Sequence, residues 1–476
     1  MNRDLRRDLS AVVTAALLVV TAALVGAAIK RSRDTLHVGL PPLYANWLPH
    51  VGPGTPAALA VAVAVVAYGP ALAARLPWRY LLLTSWATAT AWAFSLALVD
   101  GWHRGIARRL TTRYEYLQVI DRFHDVPATL RDFTHHILLG SPEPWPAHVS
   151  GHPPGATLTF VLLDRIGLGG GGWAGVWCIA VGATTAAAVL VTVRALADET
   201  LARRAAPFLV LAPAAVWMGT SADGYFTAVA AWSMALLALA VTVRTAHRSR
   251  TTACGAGLLF GLTCYLSYGL TLFALIGAGV LVLGRKRLRA LPFLLAGAAV
   301  VPLAFTLGGF YWWEAYHLLV ERYHQGAGGF RPYGYWVWAN LACTVLVVGP
   351  ATVAGLRRGA TVLAREREPL RPVPDVRPVR NVRGFRGVRG VQGVQGVQDL
   401  SRRSAEFRLA LLVLAALLAL LVAALSGMSK AETERIWLPF AFWLLAVGAF
   451  LPRPRAWLTA QAVLALLLNH LLLTGW

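Results

Sequence analysis

The sequence predicts an all-α protein that crosses a membrane many times. Hydrophobic residues make up 57% of the 476 residues, and only 14% are charged. Apolar stretches of about 20 residues, the length that a helix needs to cross a bilayer, recur from one end of the chain to the other. The 44 lysine and arginine residues gather mainly between these stretches. Soluble globular chains have neither feature, so we predict a polytopic membrane protein with about 13 transmembrane helices.

The net charge of +22 comes largely from arginine clusters between the apolar stretches, a pattern typical of a membrane protein rather than of a nucleic-acid-binding protein. Lysine and arginine accumulate on the cytoplasmic side of membrane helices, which is where the arginine clusters fall here. We therefore predict no nucleic-acid partner. The four cysteines lie in or beside apolar stretches, without the spacing of a zinc site or a disulfide framework, so we predict that they pack in the interior.

The apolar stretches and their basic flanks place the predicted spans along the chain. With the N-terminus in the cytoplasm, nearly all the basic loops lie inside, and "KRSRD" at 30–34 is the exception outside. We therefore predict a multi-pass protein of the plasma membrane. Its spans are predicted near residues 10–29, 55–74, 80–99, 173–193, 206–220, 224–243, 253–267, 269–284, 289–309, 334–354, 407–425, 436–451 and 456–474.

The predicted spans divide the chain into four parts. Two N-terminal spans occupy residues 1–79, and a membrane core with a long outer loop at 100–172 occupies residues 80–356. A basic loop at 357–406 precedes the C-terminal spans at 407–476. This basic loop carries twelve arginines and repeats triplets such as "VRG" and "VQG", so we predict that it is disordered in the cytoplasm. Two interpretations stay open for it, attraction to anionic lipid headgroups and a merely tolerated linker.

The stretch "VSGHPPGATLTF", residues 149–160, precedes an apolar segment that is too short to cross a bilayer. The loop after Asp100 is predicted outside and "VRALADETLARR" inside, so only one crossing fits between them. We assign that crossing to 173–193 and expect 155–168 at the outer interface, as an amphipathic or re-entrant helix in the long loop. In the alternative, both segments cross as a short hairpin, which would invert every later loop against the positive-inside rule.

The polar residues with chemical potential gather at the predicted outer face, in the loop 100–152, in "GTSADGYF" and in "GMSKAETERIWLPF". Carboxylates there can remove a proton from a hydroxyl, while a lysine and an arginine can hold a phosphate. Lys430 is notable because the chain has only two other lysines, Lys30 and Lys286. In the alternative interpretation, Lys430 and Arg435 simply extend from the membrane interface into water.

These motifs resemble those of the integral-membrane glycosyltransferases of the C superfamily (GT-C), which include the protein O-mannosyltransferases and the aminoarabinose and arabinofuranosyl transferases. "GHPPG" is similar to the family's basic-residue-Pro-Pro motif, which comes after a long outer loop with a catalytic Asp or Glu. "LLFGLTCYLSYG" resembles a family helix that ends in Tyr-Gly, and "KAETERIWLPF" resembles a late K-x-E-R-Y-x-L-P element. The resemblance covers residues 80–451, although two spans precede it and the family's early Asp-Glu pair is absent.

The resemblance implies a catalytic carboxylate in the outer loop, and two residues stay open for that role. Glu115 is the first choice because the stretch that it begins, "EYLQVIDR", looks most like the residues next to the family's acid. Asp100, at the end of a span, is the second. Their alternative roles are structural, a helix-end residue for Asp100 and a solvated helix face for Glu115.

The resemblance also implies binding residues for a sugar donor. His152, Lys430 and Arg435 would stabilise the departing lipid phosphate, which needs charge compensation. For His152, a plain structural turn is the alternative. Asp223 would bind a sugar hydroxyl or a metal ion. No cofactor is identified, and a divalent cation stays an open alternative because some members of the family use one and others do not.

The function that the resemblance implies is inverting transfer of a sugar from a polyprenyl-phosphate donor to an acceptor hydroxyl outside the cytoplasm. The acceptor would be an envelope polysaccharide, lipid or protein, and the lipid tail of the donor would lie among the spans and the membrane lipids. A second hypothesis is a transporter or flippase of lipid-linked saccharides, which the scarcity of mid-membrane charges disfavours. A third is a non-catalytic assembly partner that keeps the fold.

Overall fold

The computed structural model describes residues 3–367 and 388–475, and most of them lie in helices. Three long helices come first: α1 (Arg3–Arg33), α2 (Thr55–Arg75) and α3 (Trp78–Ala97). The long loop, residues 101–169, then folds into short helical segments. They are a π-helix at His103–Ala107, 3-10 helices at Arg109–Thr111, Tyr116–Phe123 and Phe133–His136, and the α-helices α4 (Val126–Asp132), α5 (Ala147–Ser150) and α6 (Gly155–Arg165).

The remaining helices form the bulk of the molecule. The central group is α7 (Gly170–Gly182), α8 (Thr185–Leu196), α9 (Glu199–Val210), α10 (Ala215–Met218), α11 (Ala222–Thr242), α12 (Ala246–Leu266), α13 (Phe273–Leu283) and α14 (Arg287–Leu307). The last group is α15 (Trp312–Gln325), α16 (Ala327–Phe330), α17 (Tyr333–Arg367), α18 (Val388–Leu425), α19 (Thr433–Ile436), α20 (Leu438–Leu444) and α21 (Pro454–Leu471).

Within the described ranges, eight helical segments are long and apolar enough to cross a membrane. They confirm the predicted class, an all-α chain with many membrane spans, but the predicted count of about 13 is not confirmed. Two further apolar segments, Tyr268–Leu283 and Leu438–Phe450, are shorter. The eight are Arg3–Arg33, Thr55–Arg75, Trp78–Asp100, Gly170–Leu196, Ala222–Thr242, Arg287–Leu307, Tyr333–Arg365 and Arg402–Leu425.

The segment after "GHPPG" forms the short helix α6, which has 11 residues, as its length predicts. A single candidate span, Gly170–Leu196, comes after it. Most of α6 is buried inside the protein, because it begins with a glycine and an alanine that allow close packing. A Cβ at Gly155 would lie 2.5 Å from the carbonyl oxygen of Tyr265 on α12. The helix therefore forms part of the core beneath the long loop, and its predicted place at the membrane surface stays a prediction.

Small residues let the membrane helices pack closely. In α11 most residues are buried, and many of them are alanine, glycine or serine. Between α12 and α14 the contact depends on two glycines: a Cβ at Gly257 would lie 2.0 Å from the carbonyl oxygen of Leu294, and one at Gly297 would lie 2.1 Å from that of Cys254. Such small residues are common where membrane helices touch, since lipid provides no hydrophobic force between them.

Two short strands tie the end of the chain to the segment between α1 and α2. Strand β1 (Ala45–Trp47) pairs antiparallel with β2 (Leu472–Thr474), in a register that places Ala45 opposite Thr474. The pairing holds Gly475, which comes after β2, against the ring of Tyr44. The C-terminal end of the described chain is thereby placed beside the candidate site.

The opposite end of α1 is held by a buried ion pair. Asp8 is fully buried, and its carboxylate lies 2.9 Å from Nη2 of Arg357 and 2.6 Å from Nη2 of Arg358, both on α17. A carboxylate without water needs such charged donors, since burying it alone would be very unfavourable. The ion pair therefore fixes the position of α1 along α17.

The helices extend into both ends of the segment 357–406, which the sequence predicts to be disordered. Helix α17 continues to Arg367, and α18 begins at Val388. The polar, glycine-rich repeats of this segment give no hydrophobic spacing from which the start of α18 could be predicted. The rest of the predicted loop, residues 368–387, lies outside the described residues.

We expect the variant Asp8→Asn to be clearly less stable than the wild type. It leaves two arginines facing a neutral amide, and breaking a buried ion pair typically costs about 3–5 kcal/mol. Thermal unfolding of the detergent-solubilised protein measures the loss. Asp4→Asn is the matched control, because Asp4 lies on the same helix but its side chain is 56% exposed and 3.9 Å from Arg357. Equal unfolding temperatures for the two variants would contradict the assignment.

Candidate active site

A narrow polar cleft lies where the long loop meets the N-terminal ends of α11 and α19. Acidic, basic and imidazole side chains all face this small space, together with two hydroxyl groups of the loop before α11. The residues that line it are Arg109, Glu115, Tyr116, His148, Thr220, Ser221, Ala222, Arg435 and Gly475. A cleft with this lining is suited to acid–base chemistry.

Asp223 is fixed in the first turn of α11 by the local sequence "TSAD". Ser221 is the N-cap residue, and its Oγ accepts a hydrogen bond from the backbone N–H of Asp223 at 3.1 Å. The same hydroxyl donates to Asp223 Oδ2 at 3.0 Å. A carboxylate is also favoured at a helix N-terminus, where the helix dipole is positive. The buried carboxylate of Asp223 then accepts a hydrogen bond from Arg435 Nη1 at 2.5 Å.

Arg435 stands at the centre of the cluster and is 5% exposed. Besides its bond to Asp223, its Nη2 lies 3.0 Å from Glu432 Oε2 and 3.3 Å from His148 Nε2. Burial alone lowers the pKa of the guanidinium, but the nearby charges of Asp223 and Glu432 outweigh burial and raise its pKa. Arg435 therefore carries a permanent positive charge that several residues share.

Glu432 reaches Arg435 because the backbone bends sharply just before α19. Ala431 has a φ of 72° and Glu432 a φ of 61°, a conformation that residues other than glycine rarely adopt. Such strain costs about 1–3 kcal/mol per residue and persists where the surroundings enforce it. The guanidinium of Arg331 also lies near this turn, with Nη1 3.8 Å from Glu432 Oε1. Burial alone would raise the pKa of Glu432, but Arg435 and Arg331 outweigh burial and lower it.

Glu115 and His148 form a hydrogen-bonded pair in the cleft. His148 Nδ1 lies 2.8 Å from Glu115 Oε1, and its Nε2 faces Arg435. Because a guanidinium only donates, Nε2 must accept, and the ring proton resides on Nδ1, which donates to Glu115. Glu115 is 7% exposed, and its other oxygen, Oε2, is buried without a hydrogen-bond partner among the described residues. The pair therefore leaves one carboxylate oxygen available in the cleft.

His152 lies behind the cleft lining rather than in it. Its Nδ1 is 2.7 Å from the carbonyl oxygen of His148 and 3.1 Å from the hydroxyl of Tyr116. Burial lowers the pKa of His152 to about 4, so the ring is neutral at pH 7. A neutral ring supplies no positive charge to a phosphate, and the contacts of His152 instead support the backbone around His148. The role implied by the Pro-Pro motif, phosphate binding, stays a prediction.

Asp100 lies next to the cleft and holds one of its arginines. Its Oδ1 is 2.5 Å from Arg104 Nη2 and 3.2 Å from His50 Nε2, and its Oδ2 is 3.0 Å from Arg109 Nη2. Arg109 lines the cleft, donates to the carbonyl of Thr474 at 2.8 Å, and has no hydrogen-bond partner for Nε in the described part of the chain. Burial lowers the pKa of Arg109, and Asp100 opposes that shift.

Lys430 is turned away from the cleft lining. Its Nζ donates to the carbonyl of Gly328 at 2.9 Å, and its own carbonyl accepts from Arg331 Nη1 at 2.7 Å. These contacts join the turn before α19 to α16. Its predicted contact with a donor phosphate therefore stays a prediction. In the structure, Lys430 holds the turn before α19 against α16.

The side chains of the cleft do not form a site for a divalent cation. In the described ranges no three histidine, cysteine or acidic side chains are close enough to hold a metal ion together. The reason is visible at Asp223, whose predicted role is to bind a sugar hydroxyl or a metal ion: its carboxylate is occupied by Arg435 and Ser221.

Glu434 is a second carboxyl group on α19 and is completely buried. Its Oε1 accepts a hydrogen bond from the backbone N–H of Tyr44 at 2.8 Å, and its Oε2 has no hydrogen-bond partner within the described ranges. Burial raises the pKa of Glu434 to about 7. Glu434 thus ties the segment before β1 to the helix that carries Arg435.

Three of the residues proposed from the sequence, Glu115, Asp223 and Arg435, come together around the cleft. The other three, Asp100, His152 and Lys430, lie around the cleft but do not line it. The convergence of carboxylates and an arginine from distant segments agrees with the predicted grouping at one face of the molecule. The role of each residue in catalysis stays a prediction.

The sequence did not single out three residues that the structure places at the centre, His148, Arg109 and Glu432. A signal existed for the first, because His148 lies four residues before His152 in "AHVSGHPPG". For Arg109 there was none, since it is one of several arginines in the long loop. Glu432 requires a strained turn that residue types alone do not indicate.

Comparison with known proteins gives only distant likenesses. No family model matches the chain, and no curated protein matches it. Crystal structures of an oligosaccharyltransferase from Archaeoglobus fulgidus include a complex with Zn and sulfate (TM-score 0.45, 14% identity, covering 80% of this chain and 53% of that chain). A second structure holds the same type of archaeal enzyme with an inhibitory peptide and a dolichol-phosphate (TM-score 0.42, 16% identity, 81% and 50% covered). This chain spans about half the length of those proteins, and a likeness this distant assigns neither family nor activity.

We expect Glu434→Gln to change how stability depends on pH. Glu434 has a pKa of about 7 in the folded protein, against an ordinary value of 4.5. Below pH 4.5 it is protonated in both states; as the pH rises towards 7, the unfolded state ionises first, and the folded state loses about 3 kcal/mol of relative stability. The Glu434→Gln side chain does not ionise, so the variant does not lose this stability as the pH rises.

Unfolding temperatures of the wild type and the variant between pH 4.5 and 7.5 measure the effect. The wild type should lose stability relative to Glu434→Gln as the pH rises through this range. Glu143→Gln, at an exposed position of the long loop, is the control and should behave like the wild type. Parallel curves for wild type and Glu434→Gln would show that the carboxyl group is not held protonated.

Proposed function

We propose that the protein is a membrane glycosyltransferase of the GT-C type, which transfers a sugar from a polyprenyl-phosphate donor to an acceptor hydroxyl with inversion. The observation that carries the proposal is the arrangement of Glu115 and His148 in a buried cleft beside Arg435. A positioned carboxylate and a cation at one small space are the groups that this chemistry needs. The motif resemblance supplies the reaction class.

Glu115 is the proposed general base. Its Oε2 is the buried oxygen without a partner among the described residues, so it can accept the proton of an acceptor hydroxyl. His148 holds the carboxylate in place through Oε1 and, because Arg435 donates to its Nε2, keeps the tautomer that makes this possible. The alternative base, Asp100, has both oxygens engaged by cations, which favours Glu115.

The proposed transfer is a single displacement. The acceptor O–H bond gives its proton to Glu115 Oε2 while the oxygen attacks the anomeric carbon. The bond between that carbon and the phosphate oxygen breaks, its electron pair leaves with the phosphate, and the configuration inverts. The products are the glycosylated acceptor and polyprenyl phosphate, and the proton leaves Glu115 for solvent.

The departing phosphate needs positive charge, and two arginines line the cleft. Arg435 shares its charge with Asp223 and Glu432, so part of it is already compensated. Arg109 has one carboxylate partner, Asp100, which it shares with Arg104, and its Nε–H has no partner in the described chain. We therefore assign the phosphate contact first to Arg109, with Arg435 adjacent. A guanidinium suits this role because its donors match phosphate oxygens.

A lipid-linked donor also needs an apolar place for its tail. A groove of about 860 Å³ runs beside α1, α17 and α21 and is lined mostly by apolar side chains. Leu472 of β2 lies in its wall, and Gly475 at the end of the same segment lines the cleft. Lys30 and Arg31 line the groove as well. They belong to "KRSRD", the basic cluster that is predicted to lie outside the cytoplasm. These features favour an isoprenoid phosphate as the lipid.

We expect Glu115→Gln to reduce the rate of sugar transfer by at least about 100-fold, because the amide cannot accept the acceptor proton and general-base catalysis contributes about 10²–10⁴-fold. Donor binding should change little. The measurement is transfer of radiolabelled sugar from polyprenyl phosphate to envelope acceptors in purified membranes. Glu143→Gln, in the same loop but exposed, should stay within about two-fold of the wild type.

Three outcomes would contradict the proposal. Full transfer by Glu115→Gln combined with loss in Asp100→Asn would move the base to Asp100. Full transfer by both variants and by Arg109→Ala would remove the enzymatic interpretation of the cleft. Translocation of lipid-linked saccharides that depends on this protein, in the absence of any transferase activity, would favour the transporter hypothesis instead.

A further inference from the structure

A second pocket lies at the end of the molecule opposite the cleft. It has a volume of about 440 Å³, and its walls come from the last turns of α2, from α9, from the 3-10 helix Leu445–Phe450 and from the segment that leads into α21. Helix α21 begins at this pocket with Pro454 and leads, by way of β2, to Gly475 in the cleft lining. Its 18 residues make it about 27 Å long, so the pocket and the cleft lie at opposite ends of the membrane core.

Part of the pocket wall is apolar and closely packed. Phe208 lies against Gly448, where a Cβ would be 2.5 Å from Cγ of the phenyl ring. Pro207 lies against Gly69, where a Cβ would be 3.4 Å from Cβ of the proline. Both Phe208 and Pro207 line the pocket, so two neighbouring residues of α9 give it a fixed apolar surface. Such a surface suits an acyl chain, because contact with the chain removes apolar area from water.

The charged side chains of the lining are two arginines of α9, and none of the described residues that line the pocket is acidic. Arg203 is engaged by its neighbours: its Nε and Nη2 donate to Glu199 Oε1 at 2.8 and 2.6 Å. Its Nη1 donates to the carbonyls of Ala73 and Leu76, both at 2.8 Å, at the C-terminal end of α2. Arg203 therefore covers the carboxylate and the carbonyl groups that would otherwise repel an anion.

Arg204 is the cation that remains for a ligand. It is half-buried, and the one hydrogen bond that it makes to the described residues joins its Nη2 to the carbonyl of Leu451 at 3.4 Å. Thr200 lines the pocket four residues earlier, on the same face of α9, and is exposed. A guanidinium with a single long contact, beside a hydroxyl group, suits the oxygens of a phosphate. More distant charged groups of both signs surround it: Arg358, Arg402, Asp198 and Glu406.

We infer that this pocket binds one anionic phospholipid, with its phosphate on Arg204 and Thr200 and part of an acyl chain against Pro207 and Phe208. The pocket lies where "VRALADETLARR" and "PRPR" meet the end of α2, and both stretches are predicted to lie on the cytoplasmic side. Anionic lipids of the cytoplasmic leaflet attract basic segments near the membrane surface. This favours a lipid as the source of the phosphate. The site is separate from the cleft, so the inference does not rest on the proposed function.

The experiment measures lipid binding to the purified full-length protein in detergent by native mass spectrometry. The probes are phosphatidylglycerol and phosphatidylcholine, which both carry a phosphate, but only the first has a net negative charge. We expect the wild type to bind one phosphatidylglycerol at least about ten-fold more tightly than phosphatidylcholine, and Arg204→Gln to abolish this preference, because hydrogen bonds between charged groups change affinity by about that factor. Arg455→Gln is the matched control, since Arg455 lies in the first turn of α21, is exposed and does not line the pocket.

A second pair of variants tests the acyl-chain part of the pocket without changing any charge. Ala74 lines the pocket on α2, and Ala71 lies about one turn earlier on the same helix, outside the lining. Both alanines are exposed. We expect Ala74→Trp to weaken phosphatidylglycerol binding at least about five-fold, because the indole fills space that the lipid needs, while Ala71→Trp stays within about two-fold of the wild type.

Three results would overturn the inference. The first is equal affinity of the wild type for the two lipids, and the second is a preference for phosphatidylglycerol that survives in Arg204→Gln. The third is displacement of phosphatidylglycerol by glycerol 3-phosphate at a similar concentration, which would show a site for a soluble anion. If Arg204→Gln does not fold, the alanine variants decide: weaker binding in Ala74→Trp alone supports the inference, and equal binding by Ala74→Trp and Ala71→Trp contradicts it.

Discussion

The ion pair between Arg435 and Asp223 is the interaction on which the rest of the cleft depends. Both groups are buried, and taking either charge out of water without the other would be strongly unfavourable. Their pairing joins α11 to α19, which lie far apart in the sequence. From this fixed point the guanidinium also reaches Glu432 and His148, so the long loop, α11 and the turn before α19 share one centre.

The polarity of that centre explains why the helices around it can be so apolar. Small residues in α11 and between α12 and α14 bring backbones into contact, which positions the helix ends. The charged side chains are left to the ends, where capping by Ser221 and the strained turn at Ala431 aim them at one another. A buried network of this kind is rigid when its members are satisfied.

The sequence predicts the class of the protein well and the details of the cleft only in part. Span length and basic flanks predict α2, α3 and α14 to within two residues at each end, because those physical requirements are local. The grouping of Glu115, Asp223 and Arg435 agrees with the predicted gathering of polar residues at one face of the molecule. Nothing in the sequence marks Arg109, and for His148 the sequence offers only its position four residues before His152. The importance of both arises from contacts across more than one hundred residues, such as the bond from Arg109 to Thr474. The neutrality of His152 likewise depends on burial by segments that the motif does not contain.

A structure of the protein with a bound polyprenyl-phosphate sugar, determined by cryo-electron microscopy with Glu115→Gln to slow turnover, tests the central claim most directly. We expect the phosphate to lie within hydrogen-bond distance of Arg109 or Arg435, the anomeric carbon to face residue 115, and the isoprenoid tail to enter the groove beside α1. A sugar-phosphate bound elsewhere, with the cleft around Arg435 unoccupied by substrate, would contradict the proposed site.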